Sequence, residues 1–317
     1  MVKVKRFCPL CLSEKFEPFL KARDTEGISP REYRYYRCRH CGLVFLFPLP
    51  GEKEISHFYQ KDYFSGSRFL EWFQQERRLK IRGLKREGRL LDFGCGEGVF
   101  MSLMKKDGWQ VAGFDALTQA ISFARQKQLE VAAPPLTRKS FPAESFEMIT
   151  LWHTLEHLPD PLPLLKTLRY FLTDEGFLVI SVPNIASLEA RIGRSKWFHL
   201  DPPRHCFHYD PRSLGFLLKK AGFKVVKIDH FSIEYNFPAL WQTIMNHLGS
   251  RPNFFYHLIK RQPGTKLPKG EYFTSAFITV FGGLVVFLPA LCLSLLLSLL
   301  KQSGSMTVFA NKNEDKK

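Results

Sequence analysis

The sequence predicts an α/β protein: a largely parallel sheet with helices on both faces, a small cysteine-built module before it, and an apolar helical insertion ahead of the last strand. Three observations carry this. Between residues 90 and 231 short apolar runs alternate with amphipathic stretches, the pattern of repeated strand–helix–strand units. Two C-x-x-C pairs fall within the first 41 residues. The segment Ala276–Leu300 runs for 25 residues without a charge.

Cys8-Pro9-Leu10-Cys11 and Cys38-Arg39-His40-Cys41-Gly42 each offer two thiolates from one tight turn. Two such knuckles give a closed tetrahedral sulfur shell, the ligand set of structural Zn²⁺, with no open position for catalysis. The N-terminus has no apolar stretch of a secretory signal, so metal or free thiols are expected rather than disulfides. Residues 1–50 are read as a zinc ribbon with aromatic strands at Tyr33–Tyr36 and Leu43–Phe47, closed by the breaker Pro48-Leu49-Pro50-Gly51. Cys95, Cys206 and Cys292 are expected as core or helix residues. Residues 52–89 read as helical and strongly charged.

Leu90-Leu91-Asp92-Phe93 is a short apolar strand running into Gly94-Cys95-Gly96-Glu97-Gly98 and then an amphipathic helix. Glycines at that turn let a ligand approach the backbone and the helix N-terminus. A dinucleotide fingerprint would need glycine where Val99 stands, and Asp92 suits a cationic ligand better than a pyrophosphate. Asp115, closing Trp109–Phe114, is placed to take two ribose hydroxyls. Later strands are expected at Phe146–Leu151, Gly176–Asn184, Lys224–Phe231 (after Ala221-Gly222-Phe223) and Met306–Lys312.

An acid before the glycines and a second at the end of the next strand resemble motifs I and II of the class I S-adenosylmethionine-dependent methyltransferases. His153-Thr154-Leu155-Glu156-His157-Leu158-Pro159-Asp160-Pro161 resembles a segment after strand four in the UbiG-like and sugar-methylating branches. The resemblance spans roughly residues 85–231 and the extreme C-terminus. It implies a Rossmann-like seven-stranded sheet and S-adenosylmethionine held by Asp92, Gly94, Gly96, Asp115 and Trp152. His153 and Trp152 are expected at the methionine end and the acceptor. The segment Trp197–Pro211 resembles an acceptor-side histidine loop of these branches. His205 and His208 are the preferred bases, and Arg204 a holder of an acceptor phosphate or carboxylate. A metal in this loop is the lesser reading, since no partner acids sit at helical spacing.

The domain boundaries that follow are 1–50, 51–231, a helical insertion at 232–305, and a last strand with its tail at 306–317. An apolar run as long as residues 276–300 favours membrane association. Lys260, Arg261, Lys266 and Lys269 before it and Lys301 and Lys312 after it favour both ends on the cytoplasmic side. A hairpin bent near Gly282–Pro289, dipping into one leaflet, keeps the last strand in the sheet; a single span would remove it. The formal charge of +16 asks for an acidic partner. The expected function is methyl transfer at the cytoplasmic face of a membrane, to a sugar, a lipid-linked glycan or a quinone-like lipid. The alternative is an rRNA or tRNA methyltransferase gripping nucleic acid with its basic ribbon, which the apolar segment disfavours. A cofactor-binding scaffold without turnover is disfavoured by the intact glycine turn.

Overall fold

The computed structural model describes residues 7–25, 28–51, 54, 58, 69–260 and 268–313. Most of the expected helical stretch 52–68, and Arg261 and Lys266, lie outside them. The ribbon contributes β1 (Phe16–Arg23), β2 (Glu32–Cys38) and β3 (Val44–Leu46), paired antiparallel in that order. Helix α1 (Phe69–Arg82) leads into β4 (Arg89–Phe93), α2 (Val99–Lys106), β5 (Gln110–Phe114), α3 (Thr118–Gln126), β6 (Glu130–Ala132) and β7 (Phe146–Trp152). Then come α4 (Pro161–Phe171), β8 (Leu172–Pro183), α5 (Leu188–Gly193), β9 (Phe207–His208), α6 (Pro211–Lys220) and β10 (Phe223–Asp229). The insertion holds α7 (Asn236–His247), α8 (Phe254–Lys260) and α9 (Lys269–Leu299), and the chain ends on β11 (Ser305–Lys312).

The seven-stranded sheet runs β10-β11-β8-β7-β4-β5-β6, with β11 antiparallel to both neighbours and the others parallel. The Rossmann-like architecture expected from the sequence is therefore present. Its strands are apolar on both faces because helices cover both. Leu91, Phe93, Leu151 and Ile180 pack on one side, under α4 and α6; Leu90, Met148 and Val179 pack on the other, against Ile81, Phe100 and Met104. From β4 the chain builds outward to β6, then returns to β7 on the opposite flank of β4. That reversal leaves a crevice at the carboxyl ends of β4 and β7, where open α/β sheets take their ligands.

The ribbon is sewn onto this domain. β9, from the loop after β8, pairs antiparallel with β3 and becomes the fourth strand of the ribbon sheet. Helix α6 starts on a reciprocal cap between Asp210 and Ser213, with Pro211 in its first turn. Its Lys220 Nζ donates to the Leu10 carbonyl and Arg212 Nη2 to that of His40, satisfying carbonyls of both knuckles.

The insertion departs from the sequence expectation. No hairpin bend occurs near Gly282–Pro289: α9 is one helix of 31 residues, with a π-turn at Ile278–Gly282 and Pro289 inside it. The neighbouring α7 packs against this stretch, and its Trp241 Nε1 donates to the Gly283 carbonyl at 3.3 Å. The return is made instead between α7–α8 and α9. Asn236 Nδ2 donates to Ser298 Oγ at 2.6 Å, so the two helices run antiparallel. Both ends of the insertion thus meet the sheet, and β11 stays in it. The faces of α9 are reversed from those of a soluble helix. Ser275, Thr279, Gly283, Ala290 and Ser294 turn inward, whereas Phe273, Phe277, Phe281, Leu284, Val285 and Leu288 face outward and are exposed.

Candidate functional site

The glycine turn stands at the carboxyl end of β4, in the crevice. Gly94, Gly96 and Gly98 all adopt left-handed backbone angles (φ 79°, 53° and 71°). A Cβ at Gly94 would come within 2.4 Å of Thr154 Oγ1, and one at Gly98 within 2.5 Å of a Leu129 methyl. Gly94 and Gly98 therefore admit no side chain, and the amides fix the turn itself: those of Gly94 and Cys95 donate to the Phe114 carbonyl and that of Gly98 to the Cys95 carbonyl.

Two carboxylates fix its shape. Asp115 Oδ2 accepts from the Gly96 amide and Oδ1 from the Leu117 amide, both at 2.9 Å, tying the turn to the end of β5. Asp92 is 3 % exposed, and its Oδ1 accepts from Thr150 Oγ1 at 2.7 Å, bridging β4 and β7 across the crevice. Burial pushes the Asp92 carboxyl up to about 6, against the pull of Thr150 and the Arg77 charge; burial also raises Asp115. Two buried acids at the ends of adjacent parallel strands, beside a turn with no side chains at Gly94, Gly96 and Gly98, suit a nucleoside that carries a positive charge. Trp152 ends β7 on the other sheet face, edge-on to Phe100 at 5.6 Å and beneath the Arg77 guanidinium. Arg77 is itself paired with Glu234 at 2.6 Å.

Beyond the turn lies a box of imidazoles. His153 follows β7 with a left-handed φ of 49°, a backbone cost for a residue with a side chain that is characteristic of functional sites. Its Nδ1 is 3.3 Å from Glu156 Oε1, and its Nε2 is 3.3 and 3.4 Å from the Ser181 and Ser305 hydroxyls. Tyr235, at the other junction of the insertion, packs on His153 with ring centres 3.8 Å apart. His157 Nδ1 donates to the Arg204 carbonyl at 3.0 Å, and His205 Nδ1 to the His199 carbonyl at 2.7 Å. Both rings are thereby fixed with the lone pair on Nε2. Arg204 forks onto Asp201, which holds that carboxyl well below its usual range. His208, on β9 opposite Val44, is fully buried beside Tyr35 and Trp197. Desolvation depresses every one of these imidazoles: His153 and His208 to about 3, His157 to about 4, His205 in the same direction.

The structure therefore gathers His153, His205 and His208 into one box, with His208 deepest. Glu156 and Tyr235 belong to it as well and were not singled out from the sequence. Glu156 was legible only as part of a motif, and Tyr235 lies in the insertion, where no pattern marked it.

The four knuckle cysteines converge as predicted. Cys8 and Cys41 Sγ are 3.6 Å apart, Cys11 and Cys38 Sγ 3.5 Å, and all four lie within 4.8 Å of one another. A tetrahedral ion with bonds of about 2.3 Å to sulfur needs edges of about 3.8 Å, so the thiols fit zinc with little adjustment.

A methyltransferase-domain family model matches residues 64–228, just over half of the chain. Among curated relatives, a ubiquinone biosynthesis O-methyltransferase of Actinobacillus pleuropneumoniae serotype 7 (strain AP76) is 31% identical over 126 residues, 36% of this chain and 52% of that protein. The Xanthomonas euvesicatoria pv. vesicatoria (strain 85-10) counterpart is 28% identical over 161 residues, 47% of this chain and 66% of its own length. The chain thus spans about half to two thirds of these relatives. A solved SAM-dependent methyltransferase from Archaeoglobus fulgidus aligns over 81% of this chain and 99% of its own, with a TM-score of 0.50 and 23% identity, a likeness of fold. Matched over more than half its length, across the sheet that carries the glycine turn, this chain belongs to the methyltransferase-domain family.

Proposed function

We propose that the protein transfers a methyl group from S-adenosylmethionine to a hydroxyl-bearing amphipathic acceptor, a quinone-like lipid or lipid-linked sugar, at a membrane surface. The donor supplies an already activated sulfonium methyl. Asp115 would take its ribose hydroxyls, the side-chain-free surface at Gly94 and Gly96 would let it approach the turn closely, and the Asp92 carboxylate would face its charge. Trp152, behind the crevice, buttresses the wall through Phe100 and Arg77. Of the histidines, His205 is our choice to receive the acceptor proton, because its Nε2 carries a lone pair and burial keeps it neutral near pH 7. His153 and His208 enclose it.

The observation that carries the membrane part is where the insertion joins the site. Tyr235 at its entrance packs against the His153 ring, and Ser305, six residues beyond the end of α9, touches the same ring. A helix with small residues inward and large apolar ones outward matches helices that lie against lipid. In the sequence, Lys260, Arg261, Lys266 and Lys269 just before the apolar run and Lys301 and Lys312 after it favour both ends of α9 on one side of the membrane over a single crossing. The ribbon, with structural zinc, would act by holding β9 and hence the histidine loop. Binding to anionic vesicles, together with methyl incorporation into their extractable lipids, tests the reading. A protein that stays wholly in the aqueous phase would end the membrane half of it.

A further inference from the structure

Glu156 is fully buried, and neither carboxylate oxygen has a hydrogen-bond donor in good geometry among the described residues. His153 Nδ1 stands 3.3 Å from its Oε1, and His157 and His205 also act on its charge. A buried carboxylate left in this state is costly unless a cation or proton meets it. The ligand atoms of Glu156, His157 and His205 all lie within 4.8 Å of one another. The Nδ1 bonds of His157 and His205 to backbone carbonyls are the outer-shell contacts by which metal-binding imidazoles are oriented, and they leave Nε2 as the donor atom in each. The acid comes from the turn after β7 and one histidine from the loop before β9, which is why spacing within that loop did not show it.

We propose that Glu156, His157 and His205 form a second metal site, distinct from the cysteine site, taking one first-row divalent transition ion through two imidazole nitrogens and a carboxylate. Two nitrogens and one oxygen on one side of an ion leave open positions and select zinc, iron, cobalt or manganese over calcium and magnesium. Bonds of about 2.1 Å require the three atoms to draw somewhat closer together, a movement of about 1 Å within side-chain reach. The site neighbours the donor crevice, since Thr154, two residues before Glu156, packs on Gly94. The inference deepens the reading above: an acceptor oxygen reaching the open face would lose its proton more readily, and His205 would hold the ion rather than the proton.

The test uses the full chain with its cysteine site loaded with zinc, titrated with Co²⁺. One equivalent is expected to bind, giving weak visible bands without the intense thiolate charge-transfer absorption. Glu156→Gln and His157→Gln are each expected to weaken that binding at least about 100-fold. No Co²⁺ uptake by the wild-type chain overturns the proposal without any variant. So does unchanged affinity in Glu156→Gln, or a thiolate band with release of zinc. S-adenosylhomocysteine binding measured on the same samples checks that the variants fold. It also separates the two readings, since a chain that binds Co²⁺ here but no S-adenosylhomocysteine fails the methyl-transfer reading alone.

Discussion

Replacing Phe277, Phe281, Leu284 and Leu288 together by serine should free the protein from lipid while leaving its fold intact. These side chains are 62, 57, 72 and 65 % exposed and point away from α7 and the sheet. Burying a phenylalanine or leucine fully is worth about 1.5–3 kcal/mol, so each, being roughly two-thirds open, gains about 1–2 kcal/mol on entering the acyl region. The four together give at least about 4 kcal/mol, or about a thousandfold in partition coefficient. Serine costs each exposed helical position only about 0.5 kcal/mol, too little to unfold a helix braced by Trp241 and Asn236. Flotation with anionic vesicles should recover the wild type in the lipid layer and the variant in the aqueous layer, with equal S-adenosylhomocysteine affinity. A variant that floats within threefold of wild type would refute the assignment of the outward stripe to lipid.

Asp115→Ala should weaken S-adenosylhomocysteine binding at least about 100-fold by calorimetry, since it removes a charged acceptor for two hydroxyls and frees the Gly96 amide. The Asp92 carboxyl sits at about 6 instead of 3.8. Because the folded value is the higher one, its ionisation costs stability as pH rises through about 4 to 6, and below about pH 4 that cost is absent. A sulfonium favours the ionised form, so donor affinity should climb across the same window in the wild type and stay flat in Asp92→Asn. Removing zinc by chelation should raise hydrogen exchange at residues 205–209, because β9 is held by β3; unchanged protection there would uncouple ribbon from loop. His205→Gln should lower kcat by about 10²–10⁴ with little change in donor affinity, whereas His208→Gln should chiefly lower the melting temperature.

Much of this architecture is written locally. Leu90–Phe93, Phe146–Leu151 and Met306–Lys312 read as strands because an apolar run between helices has few alternatives, and the glycine turn reads because left-handed φ angles exclude other residues. The knuckle cysteines converge because two tight turns need only one sheet to bring them together. What escaped is what depends on distant partners. β9 is two residues long and exists only because β3 presents a free edge. Glu156 gains its meaning from His205, 49 positions later. The 25 uncharged residues read as apolar, but the bend expected near Gly282–Pro289 is not where the chain turns: α9 continues through Pro289, packed on α7 at Gly283. Residue identity showed the chemistry of the segment, whereas its geometry was set by the helix beside it.

Transfer of a labelled methyl group from S-adenosylmethionine, followed by separation of the products into organic-extractable lipid, RNA and small soluble molecules, tests the central claim most directly. Label in the organic extract that disappears in Asp115→Ala is the expected result. Label confined to RNA, or none in any fraction from a chain that binds S-adenosylhomocysteine, would contradict it.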